Sequence, residues 1–275
     1  MNIDMRNGQW TYVLLDIVGV GSYGSVYKAQ RTLNTDSKKE EIVAIKKVKK
    51  DFFADQEIKI NTLLSDCPYI CKLLDSFKRS ESNEEFVFLV FEFSIIGDYI
   101  TFLEKYIENS KLRHEMAVYA TKDLCEAVLY CHKRKVCHND IKPENILIFS
   151  TEKNTPIFKL GDFGITSPLK LAVLKKGTPG YYAPEVFSKK EGMCDKSDMW
   201  SVGVVAYSMY VGSNFVSMDE LSDGVITPEF VRKKIKQNVK NKVVADFISK
   251  LLKIIPGDRM TAKEALKHPY LNFSE

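Results

Sequence analysis

Cys137-His138-Asn139-Asp140-Ile141-Lys142-Pro143-Glu144-Asn145 sets a carboxylate, an ammonium and an amide within six residues, and Asp162-Phe163-Gly164 follows a short strand-like segment. Each residue type there has a chemical use. Asp140 can accept a proton from an incoming hydroxyl, Lys142 can neutralise a phosphate in transit, and Asn145 and Asp162 offer oxygen ligands to hard divalent cations such as magnesium. Taken singly, either aspartate reads as a loop acid or a helix cap. The fixed offsets to Lys142 and Asn145 argue against that reading.

Upstream, Val18-Gly19-Val20-Gly21-Ser22-Tyr23-Gly24-Ser25-Val26 carries a glycine triplet between two strand-like segments, Thr11 to Val18 and Ser25 to Arg31. Glycines let a backbone approach phosphates that a Cβ would hold away. The dinucleotide-binding version of this triplet needs a helix directly after the third glycine, whereas Ser25-Val26-Tyr27-Lys28-Ala29 continues as strand. The context therefore favours a lid over nucleotide phosphates. Val43-Ala44-Ile45-Lys46 ends an apolar strand in a lysine, which in most proteins snorkels to the surface. Its spacing from the lid and from Glu57 instead fits a phosphate-binding lysine paired with a helix carboxylate. Asp51, Asp55 and Glu57 compete for that pairing, and the phase of Gln56-Glu57-Ile58-Lys59-Ile60 relative to Pro68-Tyr69-Ile70 selects Glu57.

The first 93 residues otherwise read as strands and turns with one helix. Glu41 to Val48 and the apolar run Phe86 to Phe93 are strands, Asn34 to Glu40 is a polar surface loop, and Asp55 to Leu64 is a helix. From Gly97 the pattern turns helical: Tyr99 to Tyr106 behind an Asp98 cap, Arg113 to His132, Asp198 to Val211, Val243 to Lys253 and Thr261 to Leu266. Further along lie Gly177-Thr178-Pro179-Gly180-Tyr181-Tyr182-Ala183-Pro184-Glu185 and Asp258-Arg259, whose Glu185 and Arg259 should form a buried structural ion pair.

Length and composition narrow the class. A chain of 275 residues buries a full core and accommodates one large domain or two lobes, and no accessory module is expected beside them. With about ten residues before the first motif and a few after the last, no regulatory tail is expected. No apolar run approaches the ~20 residues of a membrane span, and the N-terminus lacks the apolar core of a secretory signal, so a cytoplasmic or nuclear protein with no membrane partner is expected. Net charge is +4, and the run Lys46-Lys47-Val48-Lys49-Lys50 reads as a solvated face, so no nucleic-acid partner is expected. Six cysteines (Cys67, Cys71, Cys125, Cys131, Cys137, Cys194) without CxxC spacing read as buried reduced thiols, and a Cys67/Cys71 metal site finds no histidine at ligand spacing.

With these motifs in order, residues 12 to 271 resemble a eukaryotic protein kinase catalytic domain. The resemblance implies an α+β, bilobal protein-kinase-like fold: a small antiparallel β lobe with one main helix (about 1–93), a hinge (about 92–96) and a larger, mostly helical lobe (about 97–275). It implies ATP and Mg2+, or Mn2+ in its place, as cofactors, and a protein substrate with a serine or threonine acceptor, since the Lys142-Pro143 pair is similar to serine/threonine-specific kinases. By the same resemblance Val18, Gly19, Val20, Gly21, Ser22, Tyr23, Gly24, Val26, Ala44, Lys46, Glu144, Asn145, Leu147 and Asp162 line the nucleotide site. Phe91 is the gatekeeper, Glu92, Phe93 and Ser94 form the adenine-binding hinge, Asp98 lies near the ribose, and Thr178 contacts Asp140 and Lys142. Glu144 and Asp98 match acids that basophilic kinases use for substrate arginines, but Ser208 stands where a further acid belongs, which argues against a strong multi-arginine preference. Tyr23 at the lid tip is either an inhibitory phosphosite or a tyrosine packing on itself. A monomer is the default.

Two residues depart from the pattern. Asn139 replaces the arginine that in many kinases grips a phosphorylated activation loop, and Ile165 to Lys176 offers only Thr166 and Ser167 as acceptors, so activity independent of loop phosphorylation is expected. Asn61 stands where an apolar side chain is usual, so it must find a partner or α-helix 55–64 must be shifted. These two residues keep alive an alternative reading as a pseudokinase that binds nucleotide or serves as a scaffold.

Overall fold

The computed structural model describes residues 4–21, 24–153, 155–168, 177–187, 195–217, 219–220 and 226–272. Ser22, Tyr23, Cys194 and residues 169–176 of the segment after Asp162 lie outside them. The chain forms an antiparallel β unit, Met1–Asp66 with Cys71–Ile95, and a helical unit, Cys67–Ile70 with Ile96–Glu275.

In the β unit, strands β1 (Asp4–Asn7), β2 (Trp10–Gly21), β3 (Gly24–Leu33), β4 (Asp36–Lys49), β5 (Leu73–Glu81) and β6 (Glu84–Glu92) form one sheet in the order β1-β2-β3-β4-β6-β5, accompanied by helix α1 (Phe52–Leu63). The apolar run of β6 is explained by burial on both faces. Val87 and Leu89 pack with Val48 and α1's Ala54, while Phe88 and Val90 point the other way into a core of Tyr12, Leu14, Ala29, Val43 and Ile45. Strand side chains alternate between faces, and each buried valine, leucine, isoleucine or phenylalanine among them stabilises by about 1.5–3 kcal/mol.

Two expectations are corrected here. Residues 34–40 are exposed but are not a loop: only Asn34 and Thr35 turn, and Thr32↔Glu40 and Arg31↔Glu41 continue the β3–β4 ladder. Residues 34–40 are solvated and so carry polar side chains, and Arg31, buried at the base of the ribbon, holds it by donating to Glu41 (Nε to Oε2, 3.0 Å) and lying over Trp10. Helix α1 starts at Phe52 because the Asp51 carboxylate accepts the Ala54 N–H at 2.8 Å. Strand β5, half-buried along its first five residues and mixed in composition, gave no periodic signal.

The helical unit contains α2 (Tyr99–Tyr106), α3 (Ser110–Lys133), α4 (Asp195–Val211), α5 (Pro228–Asn238), α6 (Lys242–Leu251) and α7 (Ala262–Ala265). Short strands β7 (Val136–Cys137), β8 (Ile146–Ser150), β9 (Pro156–Leu160) and β10 (Ser167–Pro168) form two ladders, β7 with β10 and β8 with β9. Asp98 caps α2 by accepting the Thr101 N–H at 2.8 Å. Helix α4 is buried almost all round, and a Cβ on Gly203 would meet Leu251 Cβ of α6 at 2.8 Å, so glycine lets the two helices touch. Helix α5 was not foreseen, because only Val231 and Ile235 of its amphipathic stripe are buried and lysines surround them. Glu185 and Arg259 do form a buried ion pair: Arg259 Nη1 and Nη2 each donate to a Glu185 oxygen at 2.6 Å.

Candidate active site

The β unit holds a hairpin and an ion pair. Strands β2 and β3 run through the glycines, so the expected turn is the tip of a hairpin in register Gly19↔Val26 and Gly21↔Gly24. Gly24 sits at φ +149°, and a Cβ there would lie 2.1 Å from Lys47 O, so the neighbouring strand requires glycine. Gly19 and Gly21 meet no such obstacle, and Val18 and Val20 are exposed. Val26 pairs with Lys46, and Ala44 pairs with Phe91. Lys46 Nζ donates to Glu57 Oε1 at 2.7 Å, and both side chains are buried. The rival acids are engaged elsewhere: Asp51 caps α1, and Asp55 pairs with Lys78 at 2.9 Å on the surface. Following Phe91, Glu92 Oε1 accepts the Lys72 N–H at 2.8 Å, Phe93 lies beneath the Lys28 ammonium, and Ser94 is buried. Asn61 Nδ2 donates to Glu57 O at 2.9 Å, while its Oδ1 is buried without a hydrogen-bond partner among the described residues. The amide thus finds half a partner within its own helix, and Glu57 still meets Lys46.

The helical unit gathers a second cluster. Asp140 Oδ1 accepts from Thr178 N at 2.9 Å and from Thr178 Oγ1 at 2.8 Å. Lys142 Nζ donates to Thr178 Oγ1 at 2.8 Å and lies 3.1 Å from Asp140 Oδ2. Asn145 Nδ2 donates to Asp140 O at 2.8 Å and reaches Oδ2 at 3.3 Å. With that nitrogen committed, Oδ1 is the Asn145 atom left to ligate a cation. Gly161 N donates to Asn145 O at 2.8 Å, which sets Asp162 beside it, in the left-handed region at φ 58°. A carboxylate and an amide oxygen are the donor types that magnesium takes, so the residues present fit the ion. Leu147 bridges Asp98, and Glu144 lies close enough to Tyr181 that its charge reinforces burial in raising the phenol to about 12.

The loop carrying Asp140 is held by residues to which the sequence reading assigned no supporting contact. Asp198 of α4 is buried, and its carboxylate accepts the N–H groups of His138 (3.0 Å) and Asn139 (2.9 Å) and the His132 Nε2–H (2.9 Å). Burial alone would raise the Asp198 pKa, but the His132 hydrogen bond and charge, with the Asn139 N–H and the nearby His138 ring, outweigh it and hold the acid below its usual range. An acid inside an otherwise apolar helix was the signal that could have found it. His138 donates through Nε2 to Gly161 O (2.9 Å), accepts Asp140 N at Nδ1 (3.2 Å) and packs edge-on against Phe163. Asn139, at φ 72°, donates through Nδ2 to Ile165 O (3.0 Å) and Ser167 Oγ (2.9 Å). His132, Cys137 and Asp198 lie within ligand distance of one another, but the hydrogen bonds just given account for the acid. Cys67, Cys71, Cys125, Cys131 and Cys137 are buried free thiols.

A family model described as protein kinase domain matches residues 12–271, and the chain belongs to that family. Calcium-dependent protein kinase 3 of Plasmodium yoelii yoelii is 33% identical over 265 residues, covering 92% of this chain and 46% of the relative. Serine/threonine-protein kinase DCLK3 of Mus musculus is 28% identical over 267 residues (94% and 33%), and serine/threonine-protein kinase atg1 of Dictyostelium discoideum is 29% identical over 279 residues (96% and 39%). The chain spans less than half the length of these curated relatives. Family and relatives together support a serine/threonine kinase in general terms. Among the described residues no helix is long and apolar enough to cross a membrane.

Proposed function

We propose that this chain transfers the γ-phosphoryl group of ATP to serine and threonine hydroxyls of proteins. The observation that carries the reading is the closed cluster of Asp140, Lys142, Asn145 and Thr178. Asp140 accepts the substrate hydroxyl's hydrogen bond and orients its oxygen toward the phosphorus. Lys142, held by Thr178, neutralises charge that builds on the phosphoryl oxygens. Lys46, fixed by Glu57, binds the α- and β-phosphates, and the β2–β3 hairpin covers them. Magnesium, held through Asn145 and Asp162, supplies further charge neutralisation when bound.

The same reading includes activity without phosphorylation of the segment after Asp162. Its support is that Asn139 already ties this segment down through Ile165 and Ser167, doing with an amide what an arginine would do through a phosphate. Thr166 Oγ1 is buried and donates to Phe163 O at 2.6 Å, and Ser167 is buried too.

The test uses ATP labelled at its γ-phosphoryl, a basic protein acceptor and phosphoamino-acid analysis, comparing wild type with Asp162→Ala before and after phosphatase treatment. Magnesium-dependent label on serine or threonine is expected, unchanged by phosphatase and lower by orders of magnitude in the variant. Equal label from both proteins would reject the reading in favour of a nucleotide-binding or scaffolding module. Loss of label on phosphatase treatment would reject the phosphorylation-independent part alone.

A further inference from the structure

Helices α5 and α6 contribute nothing to the Asp140 cluster, yet a groove of about 510 Å3 opens between them. Val231, Ile235 and Leu252 form an apolar floor, and Arg232, Lys236 and Lys253 stand on the rim as exposed cations. Asp246, also on the lining, is already engaged: it accepts from Lys250 Nζ at 2.7 Å and from His268 Nε2 at 2.9 Å. Arg232 pairs with exposed Glu229, a contact a competing carboxylate can replace in water. Among the described residues Lys236 and Lys253 have no carboxylate partner. The stretch 228–242 carries Arg232, Lys233, Lys234, Lys236, Lys240 and Lys242 against Glu229 alone. Lys234 is used, with its ammonium 2.8 Å from Glu220. The excess of positive charge is therefore concentrated around an apolar cleft rather than neutralised across it.

We infer that this groove docks an acidic peptide segment of a partner protein that inserts an apolar side chain between α5 and α6. The volume takes a leucine- or phenylalanine-sized group and its neighbours, and the rim ammoniums pair with carboxylates on either side of it. A lipid surface fits less well, because a recessed cleft presents its apolar atoms to an inserted side chain and not to a plane. Nucleic acid has no use for the apolar floor. Pairs on such a rim set orientation and association rate, while the inserted side chain holds the complex.

A random-peptide phage library panned against the whole chain supplies the probe, with counter-selection on the double variant Lys236→Glu, Lys253→Glu. Recovered sequences should place a large apolar residue between aspartates or glutamates. A fluorescein-labelled copy of the recovered peptide should bind wild type at least about tenfold more tightly than the double variant. It should also lose binding to Ser249→Trp, which fills the groove and leaves the rim charges in place, while both variants keep the wild-type melting temperature. Recovered peptides without acids, equal affinity for wild type and either folded variant, or no recovery above counter-selected background would overturn the assignment. Stronger retention on anionic vesicles or on RNA than on the peptide would overturn it in favour of those ligands. Binding is read without turnover, so the result stands apart from the kinase assay above.

Discussion

At the scale of single residues, Thr178 carries the sharpest consequence. Its hydroxyl accepts from Lys142 and donates to Asp140, so one side chain fixes both the carboxylate and the ammonium. Thr178→Ala should lower kcat by about 10- to 100-fold, the worth of one or two charge-assisted hydrogen bonds, with KM for ATP little changed. Thr178→Ser keeps the hydroxyl and should restore most of the rate in steady-state assays; a serine variant as slow as alanine would assign Thr178 a packing role. The identities and offsets of Asp140, Lys142, Asn145 and Asp162 were readable in the sequence because each residue type has few uses at that spacing. The behaviour of Asn139 was not. Its departure from arginine was visible, but its left-handed backbone and the direction of its Nδ2 depend on Ile165 and Ser167, which only the folded chain brings near.

At the scale of elements, two contacts between segments of the helical unit yield stability predictions. Asp123 of α3 accepts the Phe158 N–H of β9 at 2.9 Å, and burial outweighs that bond and pushes its pKa up to about 6. The unfolded chain ionises this acid near 3.8, so the folded state is penalised as pH rises above that value and bears the whole cost above about 6. Asp123→Asn stays neutral and keeps an acceptor oxygen. It should gain about 1–2 kcal/mol at pH about 7, allowing for the side chain's partial exposure, and nothing below pH about 4, measured by urea denaturation. A gain that did not shrink with pH would place its cause elsewhere. The Arg259 guanidinium spans Glu185 and the carbonyls of Lys196, Lys253 and Ile254. Removing it in Arg259→Ala takes the cation from the largely buried Glu185 carboxylate, to which Ser197 Oγ still donates at 2.9 Å, and should cost about 3–5 kcal/mol, a fall in Tm on the order of 10 °C, and Arg259→Lys should recover only part because an ammonium lacks the planar fork. Apolar content revealed α2, α3 and α4; α5 buries as many side chains as α2, Val231 and Ile235 against Tyr99 and Leu103, but sets them among lysines that read as a solvated face, and β5 has no fully buried side chain to leave a pattern. The polar β3–β4 ribbon misled for the opposite reason: composition reports solvent exposure, and exposed strands share it with loops.

At the scale of the whole molecule, the fold class followed from the order of motifs more than from any one element. Glycine hairpin, Lys46, Asp140 loop, Asp162 and the Glu185 segment succeed one another as in a protein kinase, and the family match spans 12–271. What no reading of the motifs reached was the framework under them, in which Asp198 of α4 gathers the His138 and Asn139 amides and so sets where Asp140 points. That framework makes Asp140 the residue on which the proposed activity turns. The most direct measurement is γ-phosphoryl transfer by Asp140→Asn, with melting temperature and ATP affinity measured on the same preparation. A rate lower by about 10²- to 10⁴-fold, with fold and ATP binding kept, is the expected result. A variant that binds ATP and transfers phosphate at the wild-type rate would contradict it.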